Sequence, residues 1–423
     1  MIAELYTIFK KHPVVCTDSR NITLNCIFFA LKGENFNGNK YAVEALKKGA
    51  SYAIVDEEAY ATSKKTILVE NVLETLQKLA NYHRHQLNIP IISLTGSNGK
   101  TTTKELINIV LAKKFNTTAT KGNLNNHIGV PLTLLSMNSS TEIGIVEMGA
   151  NHQKEIAFLS NIAEPDYGYI TNFGKAHLEG FGSIEGVIIG KSELYDYLKA
   201  NDKFIFVNGN DSKQVERTQN SRHYTFGNTT TADIKIQFID ANPMVRLQTN
   251  TIEIQSQLIG AYNFPNIAVA IAIGIYLNVP LNDIKEAIES YIPSNNRSQI
   301  IHKESNKIIL DAYNANPTSM KAALDNFSRL TDAKKVAFLG DMFELGSTAK
   351  EEHQYINDYI DSLHIDKVYL VGENFNSIES SNPKVSIHKN FESLKNDFPE
   401  VKNSTLLIKG SRGMALERIL ELL

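Results

Sequence analysis

Cysteine is scarce in this chain of 423 residues: Cys16 and Cys26 are the only two. That excludes a disulfide framework, fits a reducing compartment, and assigns both thiols to core packing. Excess positive charge is missing too. Lys and Arg number 43 against 46 Asp and Glu, so the net charge of −3 leaves no footprint for nucleic acid. No apolar run approaches the ~20 residues of a membrane span. The opening residues Met1-Ile2-Ala3-Glu4-Leu5 lack the basic stretch and apolar core of an export signal, so a cytoplasmic location is expected. Short repeats and low-complexity segments are absent as well. What remains is 42% hydrophobic and 21% charged, a globular composition. The length exceeds one ordinary core, and the expected domains are residues 1–87, 88–293 and 294–423.

The most informative segment is Ile91-Ile92-Ser93-Leu94-Thr95-Gly96-Ser97-Asn98-Gly99-Lys100-Thr101-Thr102-Thr103. A buried strand leads into a glycine-rich turn, and an apolar-periodic helix follows over residues 103–112. Such a turn aims backbone N–H groups and a helix N-terminus at an anion, with Lys100 as a point charge and the Thr101 hydroxyl available to magnesium. Gly96, Ser97, Asn98, Gly99, Lys100, Thr101 and Thr102 are therefore the expected cradle for a nucleoside triphosphate. The common phosphate loop would have glycine at position 94, where this chain has Leu94. That tighter version argues against switch GTPases and motor ATPases and for a ligase-type loop.

Strand signals at residues 26–31, 52–55 and 66–69, then a helix over 72–86, predict a small α/β unit at the amino end. Residues 91–94, 143–147, 167–171 and 204–207 read as strands of a second, mostly parallel sheet covered by helices on both faces. Helices over 264–277 and 281–291 close it, and Pro293-Ser294-Asn295-Asn296 reads as a hinge. Beyond it, strand signals at 308–310, 336–339, 368–371 and 406–408 alternate with helices such as 318–329 and 414–422. The predicted fold class is α/β with three domains. A small N-terminal α/β domain precedes a central ATPase-like parallel sheet with the phosphate loop and a C-terminal Rossmann-like domain.

Ligands of such sheets sit beyond the carboxyl ends of the strands, and several polar clusters fall there. Glu147 ends one strand beside the phosphate loop, a natural magnesium ligand. The glycine-rich loop Asn172-Phe173-Gly174-Lys175-Ala176-His177 offers His177 either as a ligand or as a surface residue. Asn123, Asn125 and Asn126 can bond a polar substrate or build Asx turns, and Gly129-Val130-Pro131 stops that segment ahead of a helix. Lys191, on an expected helix with an apolar lead-in, reads by itself as a snorkelling surface lysine. Asn263 and Asn266 open a helix after Gly260, and Arg297 has the planar fork that suits phosphate. Asp311 suits ribose hydroxyls, with Tyr313 or Asn314 near a base. The strand-end loops Gly340-Asp341-Met342-Phe343-Glu344-Leu345-Gly346 and Lys409-Gly410-Ser411-Arg412 should line the same crevice.

Taken in order, these segments resemble the Mur ligases, ATP-dependent amide ligases of peptidoglycan precursor synthesis. Thr17-Asp18-Ser19-Arg20 is similar to the family's N-terminal substrate motif, and residues 95–103 are similar to its phosphate loop. The runs at 122–131, 147–153, 176–183, 311–320, 340–346 and 409–412 complete a chain-long match. The resemblance implies ATP and Mg2+ as cofactors, and UDP-N-acetylmuramoyl-tripeptide and D-alanyl-D-alanine as substrates. It gives Lys100 the transferred γ-phosphoryl group, Thr101 and Glu147 one magnesium, and His177 a second metal. Lys191 matches a lysine that carbon dioxide carbamylates into a metal-binding carboxylate. Asn263, Arg297, Asp311 and Asn314 would hold the nucleotide. Ser19, Arg20, Asn123, Asn125, Asn126, Asp341, Glu344, Lys409 and Arg412 would meet the substrates.

Two places depart from the family pattern: Gly260-Ala261-Tyr262-Asn263 for Gly-x-His-Asn, and Asn295-Asn296-Arg297 for Pro-Gly-Arg. Three alternatives stand beside this reading. A ligase adding the third stem residue would carry Asp-Asn-Pro-Arg in the C-terminal half, which is absent. A folylpolyglutamate-type ligase would lack the Asn-His and Tyr-Asn-Ala-Asn-Pro signatures. A nucleotide-dependent switch would hydrolyse ATP without an amine acceptor.

Overall fold

In a computed structural model, all residues are described except Thr251, Asn295 and Ala333, so the hinge expectation at Asn295 lies outside the described residues. Among the described residues the strands form sheets of four, nine and six strands and a two-stranded ribbon. No described helix is long and apolar enough to cross a membrane.

The first sheet is parallel, in the order Val15–Cys16, Ile27–Phe29, Tyr52–Val55, Thr66–Leu68. Helix Val72–Leu87 follows it. The Asn71 side chain accepts the Glu74 N–H to start that helix, and left-handed Asn88 (φ 48) ends it. Its buried residues Val72, Leu76, Leu79 and His83 recur every three or four positions. Val72, Leu76 and Leu79 join Leu5 and Phe9 of helix Ile2–Lys11 in a single apolar cluster with Leu134, Val146, Ile156 and Leu194 of the second unit.

In the nine-stranded sheet, Ile91–Thr95 lies between Tyr167–Ile170 and Ile143–Glu147, parallel to both. The registers Leu94↔Glu147 and Thr95↔Ile170 bring three strand ends to one level. The sheet is mostly parallel as expected, and its other edge adds an antiparallel part. Strands Ile234–Ala241, Met244–Thr249 and Ile252–Ile259 form an antiparallel meander continuing the sheet beyond Arg222–Gly227. Ile252, Ile254 and Leu258 lie on one pleat face, so period-two alternation was the signal for it.

The third sheet runs Gln299–Lys303, Asn306–Asp311, Thr405–Lys409, Lys335–Gly340, Lys367–Val371, Val385–His388, and only its first pairing is antiparallel. The expected helix over 414–422 is instead two 3-10 segments, Arg412–Met414 and Leu416–Glu421, parted by Ala415 at φ 47. Leu416 and Ile419 are both fully buried three positions apart, which suits three residues per turn. A smaller correction concerns Gly129-Val130-Pro131, which is the first turn of helix Gly129–Leu135 rather than a stop before it. A proline costs no hydrogen bond there, because first-turn N–H groups have no intrahelical acceptor.

Candidate active site

The phosphate loop is wedged against the loop that follows Tyr167–Ile170. Gly96 (φ 137) permits this, since a Cβ there would sit 2.0 Å from Thr171 Oγ1. Ser97 N–H donates to Asn172 O (3.0 Å), Ser97 Oγ to Gly174 O (2.8 Å), and Thr171 Oγ1 to Asn98 O (2.6 Å). Helix Lys100–Leu111 then starts with no side-chain cap, leaving its first N–H groups for an anion. Lys100 folds back on the loop, its Nζ 2.7 Å from Gly96 O and 3.3 Å from Ser97 O. Burial lowers its pKa. Thr101 is buried.

A relay of amides braces the loop from behind. Thr103 Oγ1 donates to Asn266 Oδ1 (3.1 Å), Asn266 Nδ2 to Asn263 Oδ1 (3.0 Å), and Asn263 Nδ2 to Ile259 O (2.9 Å). Asn263, expected on the nucleotide, thus spends part of its amide on the scaffold.

Glu147 is 1% exposed. Its Oε1 accepts from Asn125 Nδ2 (2.7 Å), whereas its Oε2 is buried with no partner, as is Thr95 Oγ1. Unpartnered buried oxygens cost roughly 1–3 kcal/mol each unless something fills their valence. Beside a phosphate loop they fit magnesium. No group of three or more His, Cys, Asp or Glu that could hold a metal occurs among the described residues. Magnesium takes one or two protein oxygens and completes its shell with phosphate and water.

Lys191 overturns its surface reading. It is 0% exposed on helix Ile184–Ala200, its Nζ 2.8 Å from Ala150 O and 4.9 Å from the Phe181 ring centre. Burial, and then the positive charge of Lys100, push its pKa well below 10.5. A neutral amine is the form that reacts with electrophiles.

A cavity of about 1770 Å³ opens over these groups. Ser97, Asn98, Gly99, Lys100, Thr101 and Thr102 line it, with Glu147 and His177 beyond them. Asn123, Asn125 and Asn126 form one wall, although the Asn126 side chain also accepts from the Ile128 and Gly129 N–H groups as an Asx turn. The third unit contributes Arg297, Asp311, Asn314 and Lys409. The Arg297 guanidinium lies 3.6 Å from the Tyr313 ring centre, and its buried Nε has no partner. Lys409 Nζ donates to Asp311 Oδ2 (2.6 Å) and Asn314 O (3.2 Å), which holds the Asp311 strand end in place.

Other expected residues lie elsewhere. Gly96 and Lys191 sit behind the cavity wall rather than on it. Asp341 is 2% exposed and accepts the Asn374 and Phe375 N–H groups (2.9 and 3.0 Å), so its carboxylate is consumed in starting the turn Glu373–Asn376. Arg412 faces solvent, paired with Glu417 (2.6 Å). Glu344 pairs with His177 Nδ1 (2.5 Å), which pulls its carboxyl below the ordinary range. Ser19 and Arg20 are outside the cavity, with Arg20 held on Asp18 (2.9 Å) and Ser19 O on Lys48 Nζ (3.1 Å). Conversely, helix Val72–Leu87 lines the cavity with Glu74, Lys78, Asn81 and His85, which sequence reasoning left unassigned. Their spacing of three and four, a polar stripe opposite the apolar one, was the available signal.

Comparison with known proteins adds independent findings. Residues 13–84 match the Mur ligase family, catalytic domain; residues 94–274 the Mur ligase middle domain; and residues 296–412 the Mur ligase, glutamate ligase domain. The UDP-N-acetylmuramoyl-tripeptide–D-alanyl-D-alanine ligase of Bacillus subtilis is 34% identical over 96% of this chain and 92% of its own. The crystal structure of MurF from Acinetobacter baumannii superposes with a TM-score of 0.85 at 29% identity, covering 96% of this chain and 92% of that one. A MurF ligase from Thermotoga maritima in complex with ADP gives 0.84 at 27%, covering 97% and 96%.

Proposed function

The chain belongs to the Mur ligase family, and we propose that it joins D-alanyl-D-alanine to UDP-N-acetylmuramoyl-tripeptide at the expense of ATP. Relatives so named match nearly the whole chain, and one related structure holds ADP. The observation that carries the reading is the pair of unpartnered buried oxygens, Glu147 Oε2 and Thr95 Oγ1, beside a phosphate loop and a buried lysine. We take the domains as residues 1–87, 88–293 and 294–423, and the use of ATP supports a cytoplasmic location.

A carboxylate is a poor electrophile, so its oxygen first attacks the γ-phosphorus of ATP, ADP leaves, and an acyl phosphate forms. The phosphate-loop N–H groups and Lys100 offset the charge gathering on the transferred group. Thr101 and Glu147 would hold a magnesium ion, which when bound neutralises phosphate charge. His177, steadied through Nδ1 by Glu344, would offer its other ring nitrogen to a second metal. The dipeptide amine then attacks the acyl carbon; the tetrahedral adduct collapses, phosphate departs, and the amine's proton is lost. Asn263, Arg297, Asp311 and Asn314 would hold the nucleotide, and Asn123, Asn125 and Asn126 the stem peptide. Glu344 and Lys409 would act at the dipeptide side, while Ser19 and Arg20 would take the UDP end.

Lys191 is proposed to be a carbamate. Its neutral amine adds to the carbon of carbon dioxide, an N–C bond forms, and one proton is released. The remaining N–H can still donate to Ala150 O, and the new carboxylate, unlike an ammonium, would be offset by the neighbouring Lys100 and by a bound metal ion. Lys191→Ala is expected to lose most activity and to recover part of it with a small carboxylic acid. Unchanged turnover would remove the carbamate from the mechanism.

The decisive assay measures phosphate release from ATP and magnesium with the tripeptide substrate, with and without D-alanyl-D-alanine. Release that needs both, with a pentapeptide product, is expected. Release indifferent to the dipeptide would instead favour another acceptor or the switch reading.

A further inference from the structure

Among the described residues, one side chain of the third unit hydrogen-bonds to the phosphate loop: Asn316. Asn316 is 5% exposed and precedes helix Pro317–Arg329, where its Oδ1 accepts the Ser319 N–H (2.9 Å) as an N-cap. That cap orients the amide, and Nδ2 is left pointing at Asn98 Oδ1, 2.7 Å away. Asn98 Nδ2 returns a longer contact of 3.4 Å to Asn316 Oδ1.

Capping accounts for the Oδ1 of Asn316 and not for its Nδ2. A serine or threonine caps a helix about as well and carries no amide to reach outward. On the other side, the Asn98 backbone is pinned by Asn172 Oδ1 at its N–H (3.1 Å) and by Thr171 Oγ1 and Asn172 Nδ2 at its carbonyl (2.6 and 3.0 Å). Its side chain is the part left to respond to the third unit. One residue further on, Gly99 and Lys100 begin the helix that faces the transferred phosphoryl group. Lys175 N–H, donating to Thr318 Oγ1 (2.9 Å), closes the same junction from the neighbouring loop.

We propose that Asn98 and Asn316 form a latch that holds the third unit over the phosphate loop while the acyl phosphate exists. The proposal rests on the ligase reading above. If the unit parts from the loop too early, water reaches the acyl phosphate. A water oxygen then bonds to the acyl carbon, the C–O bond to phosphate breaks, and the carboxylate is regenerated. One ATP is spent and no amide is made. The latch is thus a positioning device: the two amides bond to each other, and the pair sets how much phosphate release is coupled to product.

The test is the ratio of phosphate released to amide product at saturating tripeptide and dipeptide substrates. The variants are Asn316→Ser, Asn98→Ser and the double substitution. Asn316→Thr is a second cap-preserving variant should Asn316→Ser fold poorly. The wild-type ratio is expected near unity. Each single variant should raise the excess of that ratio over unity roughly threefold to tenfold, the range one hydrogen bond supports, and the double variant should raise it no further. A purely structural role would lower turnover and leave the ratio at unity, which would overturn the latch; effects that multiply in the double variant would also overturn it. Absence of any dipeptide-dependent product in the wild type would instead defeat the ligase reading, and the latch with it.

Discussion

The central unit meets one neighbour through a shared apolar cluster and the other mainly through polar contacts. Toward the first unit the seam has an apolar centre, where Leu5, Phe9, Leu76 and Leu79 share one buried cluster with Leu134, Val146 and Ile156, edged by polar contacts such as Arg84–Asp166 (2.8 Å) and Asn81–Glu164 (3.0 Å). Toward the third unit it is polar, made by Asn98–Asn316, Lys175–Glu352 (2.6 Å), His177–Glu344 and the Glu179 N–H on Glu344 O (3.1 Å). Among the described residues of the central unit, only Ile259, Leu178 and Met244 reach a third-unit core cluster. An apolar seam that opens must expose its whole area to water at about 25 cal/mol per Å². Polar contacts exchange for water at a net cost of only about 1 kcal/mol apiece. The first junction is therefore built to stay shut, and the second to part and rejoin.

The largest expected effect attacks the apolar seam. Leu76→Ala, at a fully buried site, should cost about 3 kcal/mol and lower the stability of the first and central units together in one urea transition. Separate transitions for those units would deny the shared core. Next, Asp341→Ala should remove about 2 kcal/mol from the third unit, since the buried Phe375 N–H and the half-buried Asn374 N–H lose their acceptor. The KM for ATP should hold; a change in it would return Asp341 to the binding machinery. Lys175→Ala, at a half-exposed ion pair, should shift the balance toward the open state by about 1 kcal/mol or less. Turnover should fall while the thermal midpoint stays put, and a midpoint drop without a rate change would contradict a polar, reversible seam. Smallest of all, Arg412→Ala should move stability by no more than about 0.5 kcal/mol, because its partnership with Glu417 is at the surface. A large loss of dipeptide affinity would restore the original expectation for that residue.

Elements with strong local signals were legible in the chain. Strands Tyr52–Val55 and Ile143–Glu147 match their expected spans, and helix Val72–Leu87 extends its expectation by one residue. The meander over residues 234–259 was missed, because its signal is the period-two alternation of half-buried strands and not the continuous apolar runs by which the parallel strands were read. The segment near the carboxyl end has helical spacing in its apolar residues, yet Ala415 in a left-handed conformation divides it. At the site, Gly96 to Thr102 and Glu147 could be read in order because strand, turn and helix are contiguous. Helix Val72–Leu87 could not be connected to the cavity from spacing alone: a polar stripe looks the same whether it faces solvent or a substrate.

The sequence by itself determined the chemistry on offer: a phosphate loop, a carboxylate at a neighbouring strand end, loops rich in amides, and lysines at particular positions. Local spacing and residue type suffice for that, because turns, caps and periodic faces are properties of adjacent residues. Only the tertiary structure decided which groups remain unspent. Asp341 and Glu147 are both strand-end acids, yet one is saturated by backbone N–H groups and the other keeps a buried oxygen free. Lys191 reads as a surface lysine in the chain and is fully enclosed in the fold. Partner choice and burial depend on residues far apart in sequence, and a charged or polar group acquires its energy from those surroundings.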